Sequence, residues 1–376
     1  MPRYRFPIAL VLSLALPGTA LAGRPALIIP TNPATVIETL PRGYASIMPR
    51  TSTGGKPAPV SEIGQLLEVS ARTGDARLAA RAQALLDRYP ATDKSPQILH
   101  LRAFSAQHRH DFTGALRFLD EAIAREPRDG DARLSRAQVH LVQGRLDLAR
   151  ADCVALAFGV DSGRGLLCIA ALSLRRGNLG VAASLVDRWL AQAAAADPSR
   201  EYVLVMRAEI ASRAGAPDAD AWFAKALAAA PADVRVLAAA ARHLRATGRS
   251  AEVMKLLSNA SSDGLQLQRA LAAHSARLPQ AAALADAQGR RYQLAHELGS
   301  QPEMRDEAEF LLTLRGNAPA ALALAVRNFT QQRDYEDVSV LRRAAAAAGR
   351  PQALAGLQAW AASQQVSLTP VPGSAR

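Results

Sequence analysis

Two cysteines, seven histidines and scattered carboxylates are the residues of this 376-residue sequence whose types suit covalent bonding, metal binding or proton transfer. Cys153 and Cys168 lie at nearly equal distances on either side of a glycine-bearing turn at residues 159–163. Residues equally far from a turn between antiparallel helices sit at about the same height. That places the two thiols for a disulfide between neighbouring helices in an oxidising compartment, with a pair of buried free thiols as the alternative. His108 and His110, beside Asp111, have the type of metal ligands. Two histidines two apart in a turn do not close a coordination shell, and no further cluster of ligand types accompanies them, so no metal is expected. His140, His243, His274 and His296 are isolated and read as packed or surface side chains. Gly54-Gly55-Lys56 has Pro57 where a phosphate loop needs Ser or Thr, and no strand precedes it. Gly163-x-Gly165-x-x-Cys168 lacks the third glycine and the strand of a dinucleotide site. No Gly-x-Ser-x-Gly nucleophile elbow occurs. Glu307 and Glu309 cannot share a helix face, which argues against a simple acid–base pair on one element. These readings predict no catalytic residue and no cofactor.

The elements that carry these residues follow from composition and spacing. The chain is 49% hydrophobic but only 5% aromatic, and alanine makes up the difference. Alanine favours helices and buries little area, so it suits helices that approach closely. Short turns begin at Gly74, His110, Gly144, Gly177, Gly215, Gly248, Gly316 and Gly349, at intervals of 36, 34, 33, 38, 33, 68 and 33 residues. The interval of 68 is twice 34, so one turn has lost its glycine, near Leu278-Pro279-Gln280. A fixed period of this size marks stacked supersecondary units. In residues 96–129 a first helix carries Ile98, Leu99, Ala103 and Phe104. Asp111 is placed to cap a second helix carrying Ala115, Leu119, Ala122 and Ile123, and Pro127 stops it.

These units resemble the tetratricopeptide repeat family, whose module is 34 residues long with small residues at the helix crossing and a closing proline. Ala103, Ala115, Phe112, Ala122 and Pro127 match that pattern, as do Ala219, Phe223, Ala226 and Pro231 in a later unit. Leu99 and Ala106 stand where the family carries tryptophan and tyrosine, so the repeats are degenerate. The expectation is an all-α fold: an α-solenoid superhelix of about nine antiparallel helix hairpins over residues 60–366. The resemblance implies a concave groove lined by the first helix of each hairpin. It places Gln97, His100, Phe104, Gln107, Gln138, Arg175, Arg176, Glu209, Arg213, Arg242 and Arg245 there. Mixed polar and arginine side chains of this kind suit a protein or peptide partner with acidic or C-terminal carboxylate groups.

The first 22 residues read as a cleavable signal peptide. Arg3 and Arg5 precede a short apolar stretch, Pro17-Gly18 ends it, and Ala20-Leu21-Ala22 offers a cleavage site after Ala22. The stretch is too short for a stable membrane span. The expected location is therefore periplasmic or secreted. Residues 23–59 form a Pro-rich leader expected to be extended. Val36, Ile37 and Leu40 are its potential anchors on the first hairpins, and a mobile leader is the alternative. Residues 367–376 are expected to fray as a flexible tail. The formal net charge of +12 comes from dispersed arginines rather than one basic block, and no reading motif accompanies it, so nucleic acid is not an expected partner. Three functions remain in view. The first is a non-enzymatic adaptor, and the second a scaffold in envelope polysaccharide secretion or assembly. The third, a cell-wall lytic enzyme, is disfavoured because the repeat period runs almost to the C-terminus and leaves no room for a compact catalytic domain.

Overall fold

Left-handed residues at the predicted turns set the architecture. Gly144, Gly177, Gly215, Gly248 and Gly349 all have positive φ, and the residue after each donates its N–H to a carbonyl five positions back, as in Arg145 to His140 (2.8 Å) and Arg350 to Ala345 (2.9 Å). This bond satisfies a carbonyl that the helix end would leave open, and it turns the chain sharply. His110 takes the same conformation at φ 58°, and so does Arg277 at φ 52°, the turn that lost its glycine. Leu278 N–H then bonds the Ala273 carbonyl at 2.9 Å, so the motif persists without the residue type that usually signals it. Asp111 caps its helix as the sequence implies, accepting from Gly114 N–H, and Asp129 and Asp161 cap theirs in the same way, accepting from Ala132 and Arg164 N–H.

The computed structural model describes residues 58–299 and 301–368. The signal-peptide reading, Gly54-Gly55-Lys56, most of the Pro-rich leader and residues 369–376 lie outside the described residues. Eighteen α-helices and no strand occur among the described residues, arranged as nine antiparallel hairpins. Hairpin 1 is α1 (Val60–Thr73) with α2 (Ala76–Leu86), hairpin 2 is α3 (Pro96–His108) with α4 (Phe112–Arg125), and hairpin 3 is α5 (Gly130–Val142) with α6 (Leu146–Ala155). Hairpin 4 is α7 (Ser162–Arg176) with α8 (Leu179–Gln192), hairpin 5 is α9 (Arg200–Ala214) with α10 (Ala219–Ala229), and hairpin 6 is α11 (Val234–Ala246) with α12 (Ser250–Leu256). Hairpin 7 is α13 (Asp263–Ser275) with α14 (Ala281–Glu297), hairpin 8 is α15 (Met304–Thr313) with α16 (Ala318–Gln331), and hairpin 9 is α17 (Tyr335–Ala347) with α18 (Ala355–Gln364). The fold is an all-α solenoid.

The core is serial. One apolar cluster runs from Ile63 of α1 to Leu101 of α3, the next from Leu99 to Val142 of α5, and the series continues to Ala361 of α18. Each hairpin closes its apolar face on the first helix of the hairpin that follows, so stability accumulates along the array. The crossing alanines Ala103, Ala115, Ala122 and Ala137 are buried, which lets the helix backbones approach. Gly165 marks a close approach to backbone: a Cβ there would fall 2.3 Å from the Ala157 backbone nitrogen. Its role is packing against the π-helical segment Leu156–Val160, which extends α6. The sulfurs of Cys153 on α6 and Cys168 on α7 are bonded, with Cα atoms 5.2 Å apart, and so clamp hairpin 3 to hairpin 4.

The superhelix winds tightly enough that its turns touch, a feature that nearest-neighbour stacking does not predict. Loops of hairpins 1–4 rest on later hairpins. Arg72 pairs with Glu201 at 3.4 Å, and His110 meets Glu303 at 3.5 Å. Arg333 N–H donates to the Val142 carbonyl at 2.9 Å, and Trp360 Nε1 donates to the Gly144 carbonyl at 2.8 Å. Leu146 N–H donates to Gln364 Oε1 at 2.7 Å. Fraying does not begin at Ser367: its N–H bonds the Arg176 carbonyl at 3.0 Å, and Arg342 donates to the Leu368 carbonyl at 2.8 Å.

The disulfide closes a loop with a sequence separation of 15. Replacing both cysteines with alanine is expected to lower the unfolding free energy by about 3 kcal/mol, measured by urea denaturation, with helical content unchanged.

Candidate functional site

The first helices of hairpins 4–9, with part of α10, surround a cavity of about 620 Å³. Leu174, Val205, Met206, Phe223, Val236 and Val340 give it apolar wall. Its polar lining is strongly charged yet balanced. Arg175, Arg213, Arg235, Arg242, Arg245, Arg305 and Arg343 are matched in number by Glu201, Glu209, Asp233, Asp306, Glu309, Asp334 and Glu336. Most of these charges pair with one another, since an isolated ion out of water is costly. Arg175 contacts Asp334, and Arg343 contacts Glu309. Arg242 reaches Glu209 at 3.1 Å and Glu336 at 3.4 Å, while Arg245 lies 3.8 Å from Glu309 and bonds Gln268 at 2.8 Å. Among the described residues, Arg213 forms no ion pair. It stacks over the Tyr335 ring at 4.1 Å and donates to the Leu174 carbonyl at 3.2 Å. Burial holds its pKa below the usual arginine value. Burial alone would raise the Glu336 carboxyl, but Arg242 and Arg305 overcome it and bring it down to about 2.

The sequence-predicted groove residues fall into three groups. Arg175, Glu209, Arg213, Arg242 and Arg245 converge on the chamber. Gln107 and Gln138 line, with Arg175 and Tyr202, a separate cavity of about 20 Å³, room for about one water. Gln97, His100, Phe104 and Arg176 do not join either. Gln97 is exposed and His100 is half-buried. Phe104 packs on the core of the first two hairpins, with its ring edge-on to His108 at 4.8 Å. Arg176 pairs with Asp147 at 2.7 Å, outside the chamber. Sequence reasoning missed Asp334, Tyr335 and Glu336. They precede and open α17, and only the closure of the superhelix carries them across to α7, α9 and α11. His108 lies in the last turn of α3 rather than in the loop and is 3% exposed, and burial lowers its pKa to about 4.

Ser212, His243 and Asp220 form a hydrogen-bonded string that no local motif announces. Ser212 Oγ lies 2.8 Å from His243 Nδ1, and His243 Nε2 lies 3.0 Å from Asp220. Acyl transfer would also need N–H donors aimed at a developing oxyanion. The amides nearest Ser212 already serve the helix end: Gly215 N–H bonds the Ser212 carbonyl at 3.1 Å and Ala216 N–H the Ala211 carbonyl at 2.9 Å. Asp220 is shared with Arg249 at 2.6 Å, and the His243 ring stacks on Phe223 at 4.8 Å. The string ties hairpin 5 to hairpin 6.

No protein-family model matches the chain, and no curated protein matches it. Among solved structures, a tetratricopeptide repeat protein from Parabacteroides merdae is similar at 17% identity over 67% of this chain and 99% of that one, with a TM-score of 0.41. The P58(IPK) TPR domain is similar at 14% identity over 78% of this chain and 99% of that one, with a TM-score of 0.21. In its own geometry, stacked helix hairpins with small residues at the crossings, the architecture is tetratricopeptide-like.

The seam beside the chamber is expected to respond to pH. Burial pushes the Glu303 carboxyl from 4.5 up to about 8, and burial with the Asp334 carboxylate pushes Asp337 from 3.8 to about 7. The folded chain therefore holds protons that the unfolded chain has released, so both groups make stability fall as pH rises across that window. His108, lowered from 6.5 to about 4, acts oppositely: stability is lost as pH falls through that range. Glu303→Gln should flatten the decline on the alkaline side, read as a smaller loss of urea midpoint between about pH 5 and about pH 8.

Proposed function

We propose that this protein is an exported, non-enzymatic scaffold that holds a segment of a protein partner in the chamber. The observation that carries the reading is convergence. Five side chains from α7, α9 and α11 that the repeat register assigns to a partner-facing surface do line one large cavity of mixed apolar and charged character. A cavity of this size accommodates a few side chains of a peptide, with the apolar wall supplying contact area and the arginines supplying directional donors. Export rests on the sequence of residues 1–22, and the bonded cysteine pair fits an oxidising compartment.

A glycan-stacking role has less support. Trp189 is buried in the core between hairpins, and Trp360 is spent on the seam. Trp222 carries Arg207 and Lys225 against its ring at 4.8 and 4.1 Å. None of the three lines the chamber. A scaffold within a polysaccharide export assembly remains compatible with a protein partner in that cavity.

Crosslinking in the envelope of the source cell, followed by identification of the captured proteins, tests the reading. Wild-type chain should capture a defined partner, and Arg242→Glu with Arg245→Glu should abolish that capture while the helical signal persists. Unchanged capture by the charge-reversed chain would remove the chamber from the account.

A further inference from the structure

Four of the groove positions read from the sequence are already occupied, and by the chain itself. Asp334, Tyr335 and Glu336 lie across the chamber from hairpins 4–6. Asp334 meets Arg175, the Tyr335 ring lies 4.1 Å beneath the Arg213 guanidinium, and Glu336 reaches Arg242 at 3.4 Å. Glu309, on the preceding hairpin, takes Arg245 at 3.8 Å. An acid, an aromatic and a second acid, consecutive in sequence, thus engage arginines from three successive hairpins. The same stretch is fixed in place by contacts behind it. Asp334 and Asp337 cap α17 reciprocally, and Arg333 N–H is tied to the Val142 carbonyl at 2.9 Å. Farther out, Trp360, Gln364 and Ser367 bind the loops of hairpins 3 and 4.

We infer that residues 334–336 act as an internal pseudo-ligand, and that the partner segment is acidic and aromatic, of the type acid–Tyr/Phe–acid, competing for Arg175, Arg213 and Arg242. The seam formed by Trp360, Gln364 and Ser367 is the latch that keeps the pseudo-ligand seated. This rests on the scaffold reading above and adds the partner's chemistry and its control. The charge balance of the chamber supports it. A neutral or basic segment that displaced Asp334 and Glu336 would take the ion-pair partner from Arg175 and leave Arg242 with Glu209 alone, whereas an acidic one replaces like with like. The internal ligand lowers the apparent affinity for the external one in proportion to the fraction of chains with the latch open.

The probe is a fluorescein-labelled nine-residue peptide with the sequence of residues 331–339, titrated by anisotropy against the full chain. Wild type should bind it weakly. Trp360→Phe with Gln364→Ala, which removes the seam donor and acceptor but keeps the helix formers of α18, should bind it about tenfold more tightly. Adding Arg213→Gln and Arg242→Gln to that variant should abolish the gain. Glu336→Ala in the otherwise intact chain is the second route, since it removes the competitor from Arg242 and leaves the latch alone. It too should tighten binding. Variants that keep wild-type circular dichroism yet bind the peptide no better than wild type overturn the inference, as does a gain that survives loss of the two arginines. If the peptide fails while envelope capture persists, only the pseudo-ligand falls. If capture fails while the peptide binds, the scaffold reading falls instead.

Discussion

Close packing of small residues between successive helices is the constraint on which the rest depends. Ala103, Ala115, Ala122 and Ala137 contribute little area each, so no single hairpin holds a core of its own. What they allow is a short distance between helix axes, repeated from hairpin to hairpin. The repetition links the apolar clusters end to end, each ending on a helix that the next one uses. It also brings together in three dimensions first helices that are separated in sequence, and these helices make the chamber.

The second consequence of tight stacking is contact between turns of the superhelix. Loops built for a local purpose, the left-handed turn at Gly144 and the helix end at Arg176, present carbonyls that the C-terminal hairpin uses as acceptors. The chamber is therefore walled by distant parts of the chain as well as by neighbours. Its charges are arranged accordingly. Arginines come mainly from hairpins 4–6, while Glu309, Asp334 and Glu336 come from hairpins 8 and 9, so attraction across the cavity joins the two halves of the superhelix. Buried pairs of this sort are costly to form and costlier to break singly, which ties the state of the seam to the state of the chamber.

Much of this was legible in the sequence, and the boundary is physical. The period, the turn glycines, the capping Asp111 and the crossing alanines are local signals. They announced helix pairs, the hairpin count and the fold. The cysteine pair was legible because two helices meeting at one turn share a height. Arg277 hid a turn because hydrogen bonding, not residue type, makes the motif. Register along first helices located Arg175, Glu209, Arg213, Arg242 and Arg245 but overshot at Gln97, His100, Phe104 and Arg176. The first three of those lie early in the array, ahead of the chamber, and Arg176 sits one position past the facing residue, about 100° round the helix, where it pairs with Asp147. Asp334, Tyr335 and Glu336 left no signal, because their role depends on superhelical pitch, which is a sum of small rotations over many hairpins and belongs to no single repeat.

The closed superhelix is tested most directly by hydrogen exchange at two amides. Arg333 and Ser367 N–H groups bond the carbonyls of Val142 and Arg176 from the far side of the seam, at 2.9 and 3.0 Å. Both should exchange slowly, at rates like those of amides inside neighbouring helices, because exchange requires the turns to part. Exchange at the rate of an unprotected chain, with the helices of hairpins 3, 4 and 9 still protected, would mean an open ribbon and would contradict the account.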